Sequence, residues 1–109
     1  MNIRIQINAV EFKNTSAHAI ENVTLSVIAT HGRVSCSIVD AKNRCSTGFP
    51  TKGYSGGMLS VSWNNHQNKE FEQQFIVQQP VNSDSATHYK LTLLLSEFGQ
   101  LDTQLELIN

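Results

Sequence analysis

Apolar and polar side chains alternate one by one along most of this chain, and that period of two restricts its fold more than any other feature. Val23, Leu25, Val27 and Ala29 alternate with Thr24, Ser26 and Thr30, interrupted by Ile28. Leu59, Val61 and Trp63 alternate with Ser60 and Ser62, and Tyr89, Leu91, Leu93 and Leu95 with Lys90, Thr92 and Ser96. Successive side chains on a strand point to opposite faces of a sheet, so each of these segments carries one core face and one outer face. No stretch repeats at helical spacing. The fold class expected is all-β: a two-sheet, immunoglobulin-like β-sandwich of about seven antiparallel strands, forming a single domain over residues 1–109.

The predicted strands cover residues 3–12, 22–30, 33–39, 58–63, 71–77, 87–96 and 101–108, divided by polar turns. In the first, Ile3, Ile5 and Ile7 share one parity while Val10 and Phe12 take the other. That phase change predicts a bulge near Asn8 and Ala9, or a strand that passes from one sheet to the other. Residues 40–43 read as a hairpin turn that returns through Cys45. Gly48, Pro50, Gly53, Gly56 and Gly57 punctuate residues 46–57, predicting a long irregular loop of the kind in which sandwich domains place function.

Composition narrows the partners. Hydrophobic residues make up 39% of the chain and charged residues 16%, below the usual charged share of about 25%. Ser, Thr, Asn and Gln supply the polarity instead. A formal net charge of −1 gives no electrostatic reason to expect nucleic acid or an anionic membrane as partner. No apolar run is long enough to span a bilayer, so no membrane insertion is expected. The first strand begins within three residues of Met1, without a basic n-region, an apolar h-region or a small-residue cleavage site. The chain therefore reads either as cytosolic, or as a mature or excised module from an extracytoplasmic protein (periplasm or cell surface). Asn14-Thr15-Ser16 and Asn22-Val23-Thr24 match the glycosylation triplet, a pattern that arises readily by chance in so Asn- and Thr-rich a chain.

Cys36 and Cys45 are the sharpest chemical pair. An antiparallel hairpin turning at Asp40 and Ala41 sets them directly opposite one another, with Cβ atoms about 4.5–5.5 Å apart, close to the reach of a disulfide. A disulfide would point to an oxidising compartment; the other reading is two reduced thiols. Metal binding needs a third ligand, for which His31 is the one nearby candidate, and no metal is expected. His18, His31, His66 and His88 lie in predicted turns or at strand ends, at none of the spacings that converge ligands from one element. They read as surface residues. There is no Gly-x-Ser-x-Gly elbow and no Gly-rich loop opening a helix, so no enzyme and no cofactor are expected. Catalysis would call for a deep pocket gathering two histidines and a carboxylate.

The candidate contact surface comprises loop aromatics and off-phase apolar residues. Phe49 and Tyr54 sit in the Gly-rich loop. Ile28, Ile76, Leu94 and Ile108 occupy positions that the alternation assigns to outer faces, where together they would form an apolar patch for docking or self-association. Trp63 shares the parity of Leu59 and Val61 and is expected in the core.

Residues 12–27, Phe-Lys-Asn-Thr-Ser-Ala-His-Ala-Ile-Glu-Asn-Val-Thr-Leu-Ser-Val, resemble the opening of the DUF11-like and CARDB-like bacterial surface domains. There a strand is followed by Asn-Thr, small residues and Asn-Val-Thr-apolar-x-Val, and a Cys pair commonly comes next, as Cys36 and Cys45 do here. The similarity covers about the first 45 residues. The proline that usually ends the second strand is missing, and the loop over 46–57 is longer than the family's short turn. The resemblance implies a non-catalytic structural or protein-interaction module of a bacterial envelope or surface protein, and transfers no active-site residues. The alternative is a small carbohydrate-binding module that stacks sugar on Tyr54 and Trp63. The expected partner is another protein or a second copy, with carbohydrate in the alternative.

Overall fold

The structure, a computed structural model, describes residues 5–51, 54, 56–78 and 88–108. The chain is all-β, and no helix occurs among the described residues. Eight strands form: β1 (Gln6–Asn14), β2 (Ile20–Val27), β3 (Arg33–Val39), β4 (Arg44–Gly48), β5 (Leu59–Asn64), β6 (Glu70–Phe75), β7 (His88–Leu95) and β8 (Leu101–Leu107). They make two four-stranded sheets, ordered β4-β1-β7-β8 and β3-β2-β5-β6, stacked as a sandwich. Two features depart from the expected seven antiparallel strands. Residues 44–48 form a strand of their own, and β1 pairs parallel with β7 while every other pairing is antiparallel.

The predicted phase change in β1 is a bulge. The β1–β7 register shifts between Ile7 and Ala9, which lets Ile5, Ile7, Val10 and Phe12 all face the core although they differ in parity. An extra residue on one strand reverses the facing of everything beyond it. A second bulge, unmarked by the alternation, lies in β2. Its pairing with β5 shifts between Glu21 and Thr24, and Asn22 adopts a left-handed backbone (φ 52°). Ile20 and Val23 thereby both point inward, and the strand starts at Ile20 rather than at residue 22. At its other end β2 stops at Val27. The carbonyl there accepts from His31 N–H, and its own N–H donates to Gly32 O, turning the chain into β3.

The inward faces of both sheets meet in one core that includes Phe12, Leu25, Leu59, Trp63, Leu91, Leu93 and Leu95. Trp63 is fully buried. Its indole N–H donates to Ser96 O at 2.9 Å, which resolves the tension between a large apolar ring and its one polar group. Cys36 and Cys45 are disulfide-bonded with Cα atoms 6.5 Å apart, but they do not face each other across a hairpin. Cys36 is opposite Val23 on β2, and Cys45 is opposite Phe12 on β1. The turn at residues 40–43 carries the chain from one sheet to the other, so the bond joins the two layers at their edge. The equidistance of two residues from a turn fixes how near they come, not whether their strands share a ladder.

Candidate functional site

Three loops meet at one end of the sandwich: residues 15–19 between β1 and β2, 65–69 between β5 and β6, and 96–100 between β7 and β8. They come from both sheets, and buried side chains lock each of them. Asn14 is fully buried. Its amide donates to His18 O (2.8 Å) and Val39 O (3.0 Å), and its Oδ1 accepts from Ser16 N–H (2.9 Å). Asn65 closes the second loop, accepting from Gln67 and Lys69 N–H, while its amide donates to Glu97 O at 3.0 Å. Ser96 Oγ accepts from Phe98 and Gln100 N–H, and Ser16 Oγ accepts from Glu97 N–H. Asn and Ser suit these places because their short side chains stand in for backbone partners in turns. Burial of Asn14 also removes the first glycosylation triplet from the surface.

On this frame the loops bring together His18, His66 and Glu97. The two imidazoles stack, with ring centroids 3.9 Å apart and planes inclined by 18°. Each turns Nδ1 toward the same carboxylate oxygen: Glu97 Oε1 lies 3.1 Å from His18 and 3.7 Å from His66. The Glu97 side chain is 9% exposed, whereas those of His18 and His66 are 55% and 36% exposed. These are the two histidines and carboxylate that catalysis would call for, but both imidazoles contact solvent instead of being enclosed in a deep pocket. The three flank a surface recess of about 430 Å³ that Asn65, Phe71 and Phe98 also line. Phe98 stands at its rim, 77% exposed, the most exposed large apolar residue among those described. Of the histidines, all expected at the surface, His18, His31 and His66 are exposed and His88 is half-buried, but His18 and His66 converge on one carboxylate. Chain spacing does not display this group, because each member comes from a different loop.

The residues expected to form a contact surface fare differently. Tyr54 is buried (2% exposed), bridged to Ile5 through two backbone hydrogen bonds, with its hydroxyl donating to Gly57 O and accepting from Val77 N–H. It is a structural anchor and not a surface aromatic. Phe49 is half-buried and packs edge-on against it, centroids 6.3 Å apart. Sugar stacking on Tyr54 and Trp63 is ruled out by the burial of both rings. Ile28, Ile76 and Ile108 are exposed and Leu94 is half-buried, but they form no single patch. Ile28 and Ile76 follow directly on β2 and β6, whereas Leu94 and Ile108 belong to the other sheet. What does form is a short row. Ile28 N–H donates to Met58 O, and one residue beyond the Leu59–Phe75 pair come Met58 and Ile76. All three are at least 39% exposed. The row lies at the opposite end from the His18–His66–Glu97 group.

No protein-family model and no curated protein matches the chain. Its fold is similar to that of a solved structure, an NMR structure of a protein from Eubacterium rectale. The two superpose with a TM-score of 0.58 over 90% of this chain and 86% of that chain, at 7% sequence identity. At that identity the likeness concerns the fold alone.

Proposed function

We propose that this chain is a non-catalytic, immunoglobulin-like binding module of a bacterial envelope or surface protein, and that it engages another protein through its three-loop end. The observation that carries the reading is the Phe98 rim. A large apolar side chain stands 77% exposed on a loop whose backbone is pinned by Ser96, Ser16 and Asn65. A lone exposed apolar residue is ordinary, but an aromatic on a rigid support at the mouth of a recess that Phe71 also lines is the kind of anchor a partner covers. Loops held by a stiff scaffold are also where sandwich folds place recognition. The Cys36–Cys45 disulfide supports an oxidising, extracytoplasmic location, and the similarity of residues 12–27 to DUF11-like and CARDB-like domains supports the surface assignment.

Two variants test which end makes contact. Phe98→Asp removes the rim aromatic, and Ile76→Ser removes the most exposed member of the other apolar row. A partner cross-linked to the wild-type protein on the native cell surface is expected to be lost with Phe98→Asp and retained with Ile76→Ser. Retention with Phe98→Asp overturns the assignment to the loop end.

A further inference from the structure

We infer that His18, His66 and Glu97 bind a divalent first-row transition metal ion, with Zn²⁺ the first candidate. The claim is independent of the partner reading, since it concerns what the three side chains hold by themselves. Tetrahedral zinc with bonds of about 2.0–2.1 Å to nitrogen and oxygen needs ligand atoms about 3.3–3.4 Å apart. The two Nδ1 atoms stand 3.1 and 3.7 Å from Glu97 Oε1, and the ligand atoms of all three residues lie within 4.8 Å of one another. Two histidines and a glutamate are a donor set that zinc uses with its fourth position left to water. Mg²⁺ and Ca²⁺, which take oxygen ligands, suit it poorly.

The charge arrangement points the same way. Glu97 is a nearly buried carboxylate, and its only salt-bridge partners among the described residues are the two imidazoles. The nearest basic side chain along the recess, Lys69, directs Nζ over the Phe71 ring instead, 5.4 Å from its centroid. The His66 ring stacks on that of His18 at 3.9 Å, with its Nδ1 turned to the same carboxylate oxygen. A cation shared by the three groups gives both rings a role as neutral donors once they splay from the stack, so that their in-plane lone pairs, near-parallel at 18°, converge on it.

The outer layer is in place as well. Asn65 and Ser16 hold the Glu97 backbone at its carbonyl and its N–H, and Asn14 holds the His18 carbonyl. These bonds fix the loop backbone from which Glu97 and His18 reach the site, so the side chains start from settled positions. The partial exposure of both histidines supplies an entry path and leaves the remaining coordination position facing water.

The test is calorimetric titration of the oxidised, metal-stripped protein with Zn²⁺, repeated with Co²⁺ and followed by visible absorption. The disulfide excludes the cysteines as ligands under these conditions. One saturable Zn²⁺ site per chain is expected, with intense tetrahedral Co²⁺ bands. His66→Ala and Glu97→Gln should each weaken binding by at least about tenfold, the loss that even outer-shell changes produce, while His88→Ala leaves it intact. Circular dichroism of each variant separates a lost ligand from a lost fold. His66, being partly exposed, is the substitution that preserves the sandwich. Absence of saturable binding, or equal affinity in His66→Ala, overturns the site. Phe98→Asp should keep Zn²⁺ affinity unchanged, so loss of partner capture in that variant with metal binding intact bears on the partner alone.

Discussion

Along one flank of the sandwich the edge strands β3 and β4 are joined covalently through Cys36 and Cys45; along the other, β6 and β8 run past each other unpaired. Beside the disulfide, the stapled flank closes with small side chains, of which Val39 on β3 is buried. Val34 and Cys45 are half-buried and Ile38 is exposed. The unstapled flank carries the bulkier apolar residues, with Phe71, Phe75, Leu101 and Leu105 partly buried against the core. Phe71 also lies against Trp63, ring centroids 5.7 Å apart. Gln73 adds a hydrogen bond to Gly99 O across the gap. Gly99 itself has a positive φ of 86°, and a Cβ there would meet the Phe71 ring at 2.7 Å, so the tight β7–β8 turn and the aromatic packing require one another. A sandwich must seal two open sides, and here covalent linkage stands in on one side for the ring area used on the other.

That contrast can be broken from either flank. Trp63→Ala removes the anchor of the aromatic flank together with its bond to Ser96, and is expected to cost about 3–5 kcal/mol in urea unfolding. A loss below about 1 kcal/mol would show that the flank does not depend on it. Replacing both cysteines by serine, or reducing the bond, should cost about 2–3 kcal/mol, the loop-closure value for so short a loop. If the variant unfolds at the same urea concentration as the wild type, the staple contributes nothing to closure. The smallest expected effect is at Tyr54, which ties the chain after β6 to the start of β1 at the far end of the aromatic flank. Burial raises its phenol above the ordinary 10.0, against the smaller opposing influence of the Val77 N–H. The folded protein therefore holds this proton more tightly than the unfolded chain does. The resulting stability is complete below pH 10 and is lost as pH rises beyond it. Tyr54→Phe removes two hydrogen bonds, one of them to the buried Val77 N–H, should cost about 1–2 kcal/mol at neutral pH, and should flatten the alkaline decline seen in unfolding titrations.

Much of this architecture was legible from alternation. The burial of Leu59, Val61, Trp63, Leu91 and Leu93 follows from parity alone, and the break between Ile7 and Val10 located a bulge. The bulge at Asn22 left no such trace, since one out-of-phase residue before Val23 looks like a loop. Sheet membership was hidden for a related reason. Proximity of Cys36 to Cys45 is a local property of the turn, while their division between layers depends on β1 and β2, which are distant in the chain. The burial of Tyr54 does not show in the chain, where Gly53 and Ser55 beside it leave surface contact and plugging of the sandwich end equally open; a single β-bridge to Ile5 carries it inside. The His18–His66–Glu97 group was beyond reach of any spacing rule. Its members share no element, and only the convergence of three loops defines it.

The position of β1 has a consequence for how the molecule is made. It lies between β4 and β7, and its parallel partner comes far later in the chain, after all of β2 to β6. Contacts this distant in the chain are slow to form, because their loop-closure entropy must be met before they repay it. The β2–β3 and β5–β6 hairpins and the β1–β4 pair can assemble early, leaving one edge of the first strand open until β7 arrives. A chain that still lacks β7 is thus the aggregation-prone species.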